Sequence, residues 1–340
     1  MISLKDLVSY LDAAPAEHNE NAGTSAKPNT VEYDKGHIFY AVQEFASDFC
    51  NERVKHAYFY GMHQKLLRAC QNKDMNLAGY FLSKLENNPV VKNESENLIS
   101  RNTLESIINP SVAYYYYAEG NNYQKAADYL ALSLENIDYL IDTGFRDGMY
   151  MKIEQYLNSF RVAVSAGNFE EATSYAKDVM LYLLSSGREK FQFPFSEVLR
   201  SADQLKGILD MYINAIVFKT TGIPLLTGNG EEVLLTVFSD GPASYGAYVG
   251  DELKAALAGF ISVLSNAGPV TASEELLAAV FSQKAPASIQ YFVLRRLIDS
   301  FPEEMFSDST TLVKLEEYCR KVLHLTDRQM ARLLPVKQKA

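Results

Sequence analysis

The sequence contains no tryptophan and only three cysteines, Cys50, Cys70 and Cys319, an odd and scattered set with no Cys-x-x-Cys or zinc spacing. That argues against a disulfide framework and for a reducing compartment. No uninterrupted apolar run approaches the roughly 18 residues that a bilayer span requires. Met1-Ile2-Ser3-Leu4-Lys5-Asp6 also lacks the basic-then-apolar order of a secretory leader. A soluble, cytoplasmic chain without a membrane span is therefore expected. Positive charge is short as well: 32 Lys and Arg against 42 Asp and Glu give a net charge of −10. A general nucleic-acid binder needs a basic face to displace counterions, so nucleic acid is not an expected partner. Histidine numbers only five, which leaves little material for acid–base catalysis.

What the chain does have is tyrosine and phenylalanine, 22 and 18 of them, within a 47% hydrophobic composition that suffices for a globular core. Tyrosine packs its ring while leaving the hydroxyl at a wet edge, which suits helical surfaces with grooves. Charge is uneven, since residues 314–340 carry seven Lys/Arg and three Asp/Glu. This basic stretch reads as a solvated helix end.

Ser3 with Asp6 makes a capping-box start for a short helix over 3–13, with Leu4, Leu7, Val8 and Leu11 as one apolar stripe. Residues 14–30 lose all apolar periodicity and collect Pro, Asn, Gly, Ser and Thr, a linker composition. One long helical pattern runs over 36–71, through Phe39, Val42, Phe45 and Phe49 and then Tyr58, Met62 and Leu66. Further helices are expected over 76–85 and over 90–109, the latter ended by Asn109-Pro110. Two pairs follow, 111–119 with 122–141 and 149–166 with 169–185, joined by short turns at Gly120 and Gly167. After Gly187 come an aromatic loop, Phe191-Gln192-Phe193-Pro194-Phe195, and a helix over 196–219. In the Gly/Pro-rich loop 220–249, the apolar piece 233–238 is compatible with a strand or a short helix. Helices resume over 250–266, 272–283, 287–300, 309–324 and 327–334, with capping boxes at Thr271/Glu274 and Thr326/Gln329. No strand–helix alternation appears, so the fold class is all-α. Three parts are expected: 1–30, 31–190 and 191–340.

Three stretches share a small-residue signature: Lys73-Asp74-Met75-Asn76-Leu77-Ala78, Gly120-Asn121-Asn122-Tyr123-Gln124-Lys125-Ala126 and Ala166-Gly167-Asn168-Phe169-Glu170-Glu171-Ala172. Their alanines lie 48 and 46 residues apart, within the roughly 20 to 50 residues typical of stacked supersecondary units. With Tyr117, Leu130, Ser133 and Leu134 in one unit, Tyr156 and Ala176 in the next and Leu82 in the first, residues of about 60–187 resemble the tetratricopeptide repeat. The resemblance implies antiparallel helical hairpins stacked as a right-handed superhelix with a concave groove. The family's period is about 34 residues, so the helices here must be longer, or an extra element in 90–109 must separate the units. In the family register, Ala126 and Ala172 admit close helix approach, and Tyr123 and Phe169 cover the turns. Tyr114 and Tyr117 fall on packing positions, while His63, Tyr115, Glu119, Glu154, Leu157 and Arg161 face the groove.

Other constellations carry less. His56, His63 and Cys70 share a helix face but rise about 10.5 Å per seven residues, too far for one metal. Gly228-Asn229-Gly230-Glu231 is too short for a phosphate cradle, and Asn93-Glu94-Ser95 is a lone glycosylation match. Residues 325–334 are similar to the first half of a DNA-binding helix-turn-helix, but no recognition helix follows. The expected function is a non-catalytic scaffold or adaptor that binds a protein or peptide in the groove, with no cofactor, metal or catalytic residue. The alternative is a regulator sensing a small ligand or signalling peptide. An enzyme in 190–340 would need an Asp/Glu/His cluster in a deep pocket.

Overall fold

The computed structural model describes residues 4–13, 35–49, 53–86, 97–119, 122–187, 190–198, 202–221, 230–281, 285–301 and 308–334. Every regular element among them is helical. In chain order these are α1 (Leu4–Ala13), α2 (Lys35–Ser47), α3 (Arg53–Gln71), α4 (Met75–Glu86), α5 (Leu98–Ala118), α6 (Tyr123–Asp142), α7 (Gly148–Ala166) and α8 (Phe169–Ser185). They continue with α9 (Phe195–Val198), α10 (Ala202–Thr221), α11 (Gly230–Val237), a 3-10 turn Pro242–Ser244, α12 (Asp251–Leu264), α13 (Glu274–Val280), α14 (Ala287–Asp299), α15 (Ser309–Lys321) and α16 (Asp327–Leu333). The chain divides into two compact units, Glu32–Arg200 and Met1–Val31 with Ser201–Ala340. The N-terminal helix therefore clusters with the C-terminal region, although the composition of 14–30 sets it apart in the sequence. Residues 14–30 themselves, Gly120 and Ser3 lie outside the described residues.

Within Glu32–Arg200, three antiparallel hairpins follow one another: α3–α4, α5–α6 and α7–α8. The single helix expected over 36–71 is two. Asp48 and Phe49 donate their N–H groups to the Phe45 and Ala46 carbonyls in tight terminal turns, and the Phe49 carbonyl accepts Asn97 Nδ2 at 3.0 Å. The stripes Val42–Phe45 and Met62–Leu66 hide the break because apolar spacing alone does not register a change of helix axis.

A second correction concerns Asn109-Pro110, where the sequence predicts a helix end. Instead α5 runs 21 residues, with Pro110 inside it. Proline lacks the N–H that would bond the carbonyl four residues back, here that of Ser106. Ser133 Oγ, from α6, donates to this carbonyl at 3.4 Å, so the freed acceptor still has a partner. Nearby, Ser106 and Ser111 turn their own hydroxyls onto the Thr103 and Ile108 carbonyls. Asn97 caps the start of α5, its side chain accepting from Ile99 and Ser100 N–H. The part of the segment expected over 90–109 that is described forms the N-terminal half of α5, and α5, α6 and α7 run 21, 20 and 19 residues.

The three signature alanines are buried. Ala78, Ala126 and Ala172 are all fully enclosed, and Ala113, Ala126, Leu130 and Val162 form one cluster drawn from α5, α6 and α7. Gly167 caps α7 at φ 79, a left-handed backbone that glycine adopts without strain. The aromatic loop after α8 folds back. Phe191 stacks on Tyr182 with ring centroids 3.9 Å apart, and Lys152 Nζ, over the Phe191 ring, also bonds Asp138 Oδ1 at 2.6 Å and Gln192 Oε1 at 3.2 Å.

In the other unit, α1 buries Leu4, Leu7, Val8 and Leu11 and packs on α15, where Lys314 Nζ bonds Asp12. The segment 233–238, ambiguous in sequence, begins within α11 and buries Val233, Leu234 and Val237 on one helical side. Phe238, Phe260 and Phe292 meet edge to face through the core. Asn214 of α10 accepts the Ser288 N–H at 2.9 Å, capping α14 from outside. Arg296 forks Nη1 onto both Glu231 oxygens at 2.9 and 3.1 Å and sends Nη2 to the Asn266 carbonyl. Ser273, not Thr271, caps α13, because its hydroxyl reaches Leu276 N–H from the position adjoining the helix. The Thr326/Gln329 capping box forms as expected. Of the helix expected over 196–219, Phe195–Val198 and Ala202–Thr221 are helical, and 199–201 lie outside the described residues.

The Ser133–Ser106 contact makes a direct test. Ser133→Ala is expected to lower stability in urea unfolding by about 1–2 kcal/mol, since it strands a buried carbonyl. Pro110→Ala restores an N–H opposite that carbonyl, so in this background the serine change should cost less than half as much. Equal costs in both backgrounds would show that Ser133 does not compensate the proline.

Candidate functional site

The first helices of the three hairpins, α3, α5 and α7, run in the same direction. His56 Nε2 meets Ser100 Oγ at 3.0 Å near the starts of α3 and α5, while Cys70 acts on the Tyr114 phenol near their ends. Between α5 and α7, the Tyr117 hydroxyl and Ser165 Oγ lie 3.2 Å apart, and Arg161 acts on Tyr114. These helices therefore present one side composed of residues 44 to 48 apart in sequence.

Part of that side already holds a helix. Val42, Ala41 and Phe45 of α2 cluster with Tyr60 of α3, Ile99 and Ile107 of α5, Leu140 of α6, Phe145 of the following turn and Met151 of α7. Ile107 and Tyr114 are seven residues apart, as are Met151 and Asn158, so each pair shares a helix face. α2 thus occupies the stretch over the N-terminal halves of α5 and α7. Tyr114, Tyr117, Asn158, Arg161 and Ser165 belong to the C-terminal halves.

Of the residues that sequence reasoning places in a groove, Arg161 lies on α7 beside Tyr114 of α5. It is half-buried, and its Nη1 donates to Asn158 Oδ1 at 3.1 Å, while Asn158 in turn donates to Gln155. Its aromatic neighbour is Tyr114 rather than Tyr115. Tyr115 turns toward α4, its hydroxyl 3.7 Å from the Cβ position of Gly79 and 3.3 Å from Glu119 Oε1. One residue is about 100° of helix rotation, enough to move Tyr115 and Glu119 off the shared side. Leu157 is 2% exposed and lies beneath the surface. His63 stacks on Tyr60 with ring centroids 5.7 Å apart, beside the α2 contact, and Glu154 is half-buried on α7. Tyr114 and Tyr117, read as packing positions, stack on each other at 6.2 Å and remain half-exposed. The signal that finds Tyr114 is its heptad relation to Ile107.

Local electrostatics follow burial. Desolvation pushes the Tyr114 phenol above its ordinary range, Cys70 and Tyr117 add to the rise, and the Arg161 guanidinium opposes it. Tyr115 is raised by desolvation and by the neighbouring Glu119 carboxylate. Burial pushes the Cys70 thiol up to about 11. None of these groups is moved toward neutral pH, so the surface offers hydrogen bonding, ring faces and one cation rather than an acid–base pair.

Two depressions lie elsewhere. One of about 450 Å³ is lined by Ala41, Glu44, Phe45, Asp48, Phe145 and Asp147; another of about 300 Å³ in the second unit includes Glu231, Phe292, Arg295 and Arg296. Among the described residues, no group of three or more His, Cys, Asp or Glu side chains is arranged to hold a metal ion, and no helix is long and apolar enough to cross a membrane. No protein-family model, curated protein or solved structure matches the chain.

The Cys70 thiol sets a pH dependence. In the unfolded chain it ionises around its ordinary 9.0, in the folded chain around 11, so between these values the unfolded state binds fewer protons. Its stabilising contribution is complete below pH 9 and is lost as pH rises toward 11. Cys319, raised to about 12 by burial, adds a loss of the same sign over 9–12. Urea midpoints measured from pH 8 to 11 should fall, and Cys70→Ala should flatten part of that fall. A slope unchanged in the variant would contradict the thiol's enclosure.

Proposed function

We propose that the chain is a non-catalytic binding scaffold whose Glu32–Arg200 unit is a tetratricopeptide-like stack, with the side built by α3, α5 and α7 as the seat for a peptide or protein segment. The observation that supports this reading is that α2 already rests beside these helices, with Val42 and Phe45 clustered with Tyr60, Ile99, Ile107 and Met151. A surface that holds one helix by apolar side chains has the shape and spacing to hold another segment alongside it. The adjoining stretch offers ring faces at Tyr114 and Tyr117, a cation at Arg161 and hydrogen-bonding groups at Asn158 and Ser165, a composition suited to a peptide with mixed polar and apolar side chains.

The competing reading, a sensor of a small ligand, needs a pocket with convergent polar groups not engaged with one another. In the depression of about 300 Å³, Arg296 is committed to Glu231 and Arg295 to Asp299. The polar groups there hold the unit together, which favours the scaffold.

The groove reading is tested by selecting displayed peptides on the full chain and measuring their affinity for Arg161→Glu, a surface change that should leave the melting temperature within a few degrees. Binding is expected to weaken at least tenfold. Peptides that bind the variant as tightly as the parent would place recognition elsewhere.

A further inference from the structure

The hairpin α3–α4 is basic: residues 53–86 carry six Lys/Arg against two Asp/Glu, a net charge of +4, as residues 314–340 also do, in a chain whose total is −10. α5 covers one flank of this hairpin, where His56 meets Ser100 and Gly79 meets the Tyr115 hydroxyl. The other flank carries exposed apolar residues. On α3 the exposed positions Val54, Ala57, Tyr58, Lys65 and Arg68 fall at i, i+3, i+4, i+11 and i+14, one continuous stripe. Val54 is 86% exposed, and a side chain added at Gly61 in the same stripe would meet nothing within 4 Å. On α4, Leu77 and Tyr80 are exposed as well. Phe81 links the two helices, because Lys65 Nζ lies 6.0 Å from its ring centroid, and Lys84 Nζ lies 5.5 Å from that of Tyr80. The result is a trough about 21 Å long on the α3 side, with an apolar and aromatic floor and a rim of Lys65, Arg68 and Lys84.

We propose that this trough docks an acidic amphipathic helix of a partner protein, at a surface separate from the side formed by α3, α5 and α7. Apolar residues of that helix repeating at i, i+3, i+4 and i+7 over about four turns would cover Val54, Tyr58, Phe81 and Leu77 in sequence, and flanking Asp and Glu would reach the three rim cations. Charge selects this occupant over the others. A second copy meeting the trough through its own trough would set Lys65, Arg68 and Lys84 against like charges. A nucleic acid would find aliphatic Val54 and Leu77 under it and a strongly negative chain around it.

The test is a selection from three displayed helix libraries on the full chain: one amphipathic and acidic, one amphipathic and basic, and one acidic with its apolar residues scrambled. Enrichment is expected in the first alone. Binding of the selected peptides should weaken at least tenfold in Lys65→Glu/Lys84→Glu, fall with added salt, and stay unchanged in Arg161→Glu, which separates this site from the groove. Both lysines are exposed, so the double variant should keep the parent melting temperature. No enrichment in the acidic amphipathic library, or enrichment indifferent to the lysine changes, overturns the proposal. Tighter binding of a labelled single-stranded DNA, or self-association by sedimentation, that is abolished by the same two changes would overturn it in favour of those occupants.

Discussion

A proline inside α5 leaves the Ser106 carbonyl without its intrahelical donor, and Ser133 of the neighbouring helix supplies one. The organisation of Glu32–Arg200 depends on this, because α5 touches more of that unit than any ordinary hairpin helix would. Its N-terminal half receives α2 through Ile99 and Ile107, its first turns meet α3 through Ser100, and its C-terminal half meets α6 and α7 through Ala113 and Tyr117. A helix that ended at Asn109 would leave these two sets of contacts on separate pieces. Small residues make the compensation possible: serine at 106 and 133 and alanine at 113 and 126 bring the two backbones close enough for a side-chain hydroxyl of one to reach the carbonyl of the other.

The all-α class was legible because each helix carries its own evidence, in apolar stripes, caps and turns. Leu4, Leu7, Val8 and Leu11 are buried together, and the Thr326/Gln329 box forms as its spacing dictates. Interactions that join distant residues were not legible. The donor that lets α5 pass Pro110 sits 27 residues from the carbonyl it serves, so a local rule about proline, correct in itself, gave the wrong boundary. The break after α2 failed for the converse reason: two helices with stripes in compatible phase read as one. The candidate site was legible only in part: Tyr115 and Glu119 turn away from the shared side and Leu157 is buried, because one residue of register is about 100° of helix rotation. The spacing of 48 between Tyr117 and Ser165 is the distance the chain covers in the 20 residues of α6, most of α7 and their turns.

Tyrosine does the work that tryptophan would otherwise do in this chain, and its hydroxyl changes what a packed surface can present. Tyr117 is joined to Ser165, Tyr115 to Glu119, Tyr175 to Glu171 and Tyr150 to the Val198 carbonyl. Each ring contributes to a helix–helix contact while the oxygen reaches a polar group at or near its edge. A stack built in this way has no sharp division between core and binding surface. Tyr114 and Tyr117 stack on each other, yet both remain half-exposed, so a ligand on that side would meet rings already fixed in orientation and would have little side-chain freedom to remove.

The distribution of charge pushes the two proposed surfaces apart. The side shared by α3, α5 and α7 mixes Arg161, Glu154 and neutral polar groups, which gives register but little long-range attraction. The trough on α3–α4, like residues 314–340, concentrates positive charge in a chain whose total is −10. An acidic segment approaching from solution is repelled by most of the molecule and attracted by this hairpin, so the surrounding negative charge sharpens the contrast at the trough. The same acidity that argues against nucleic acid for the chain as a whole therefore disfavours an acidic helix away from its basic stretches. The apolar floor made by Val54, Tyr58, Leu77 and Phe81 decides whether an arriving segment stays, because rim cations alone exchange freely with salt.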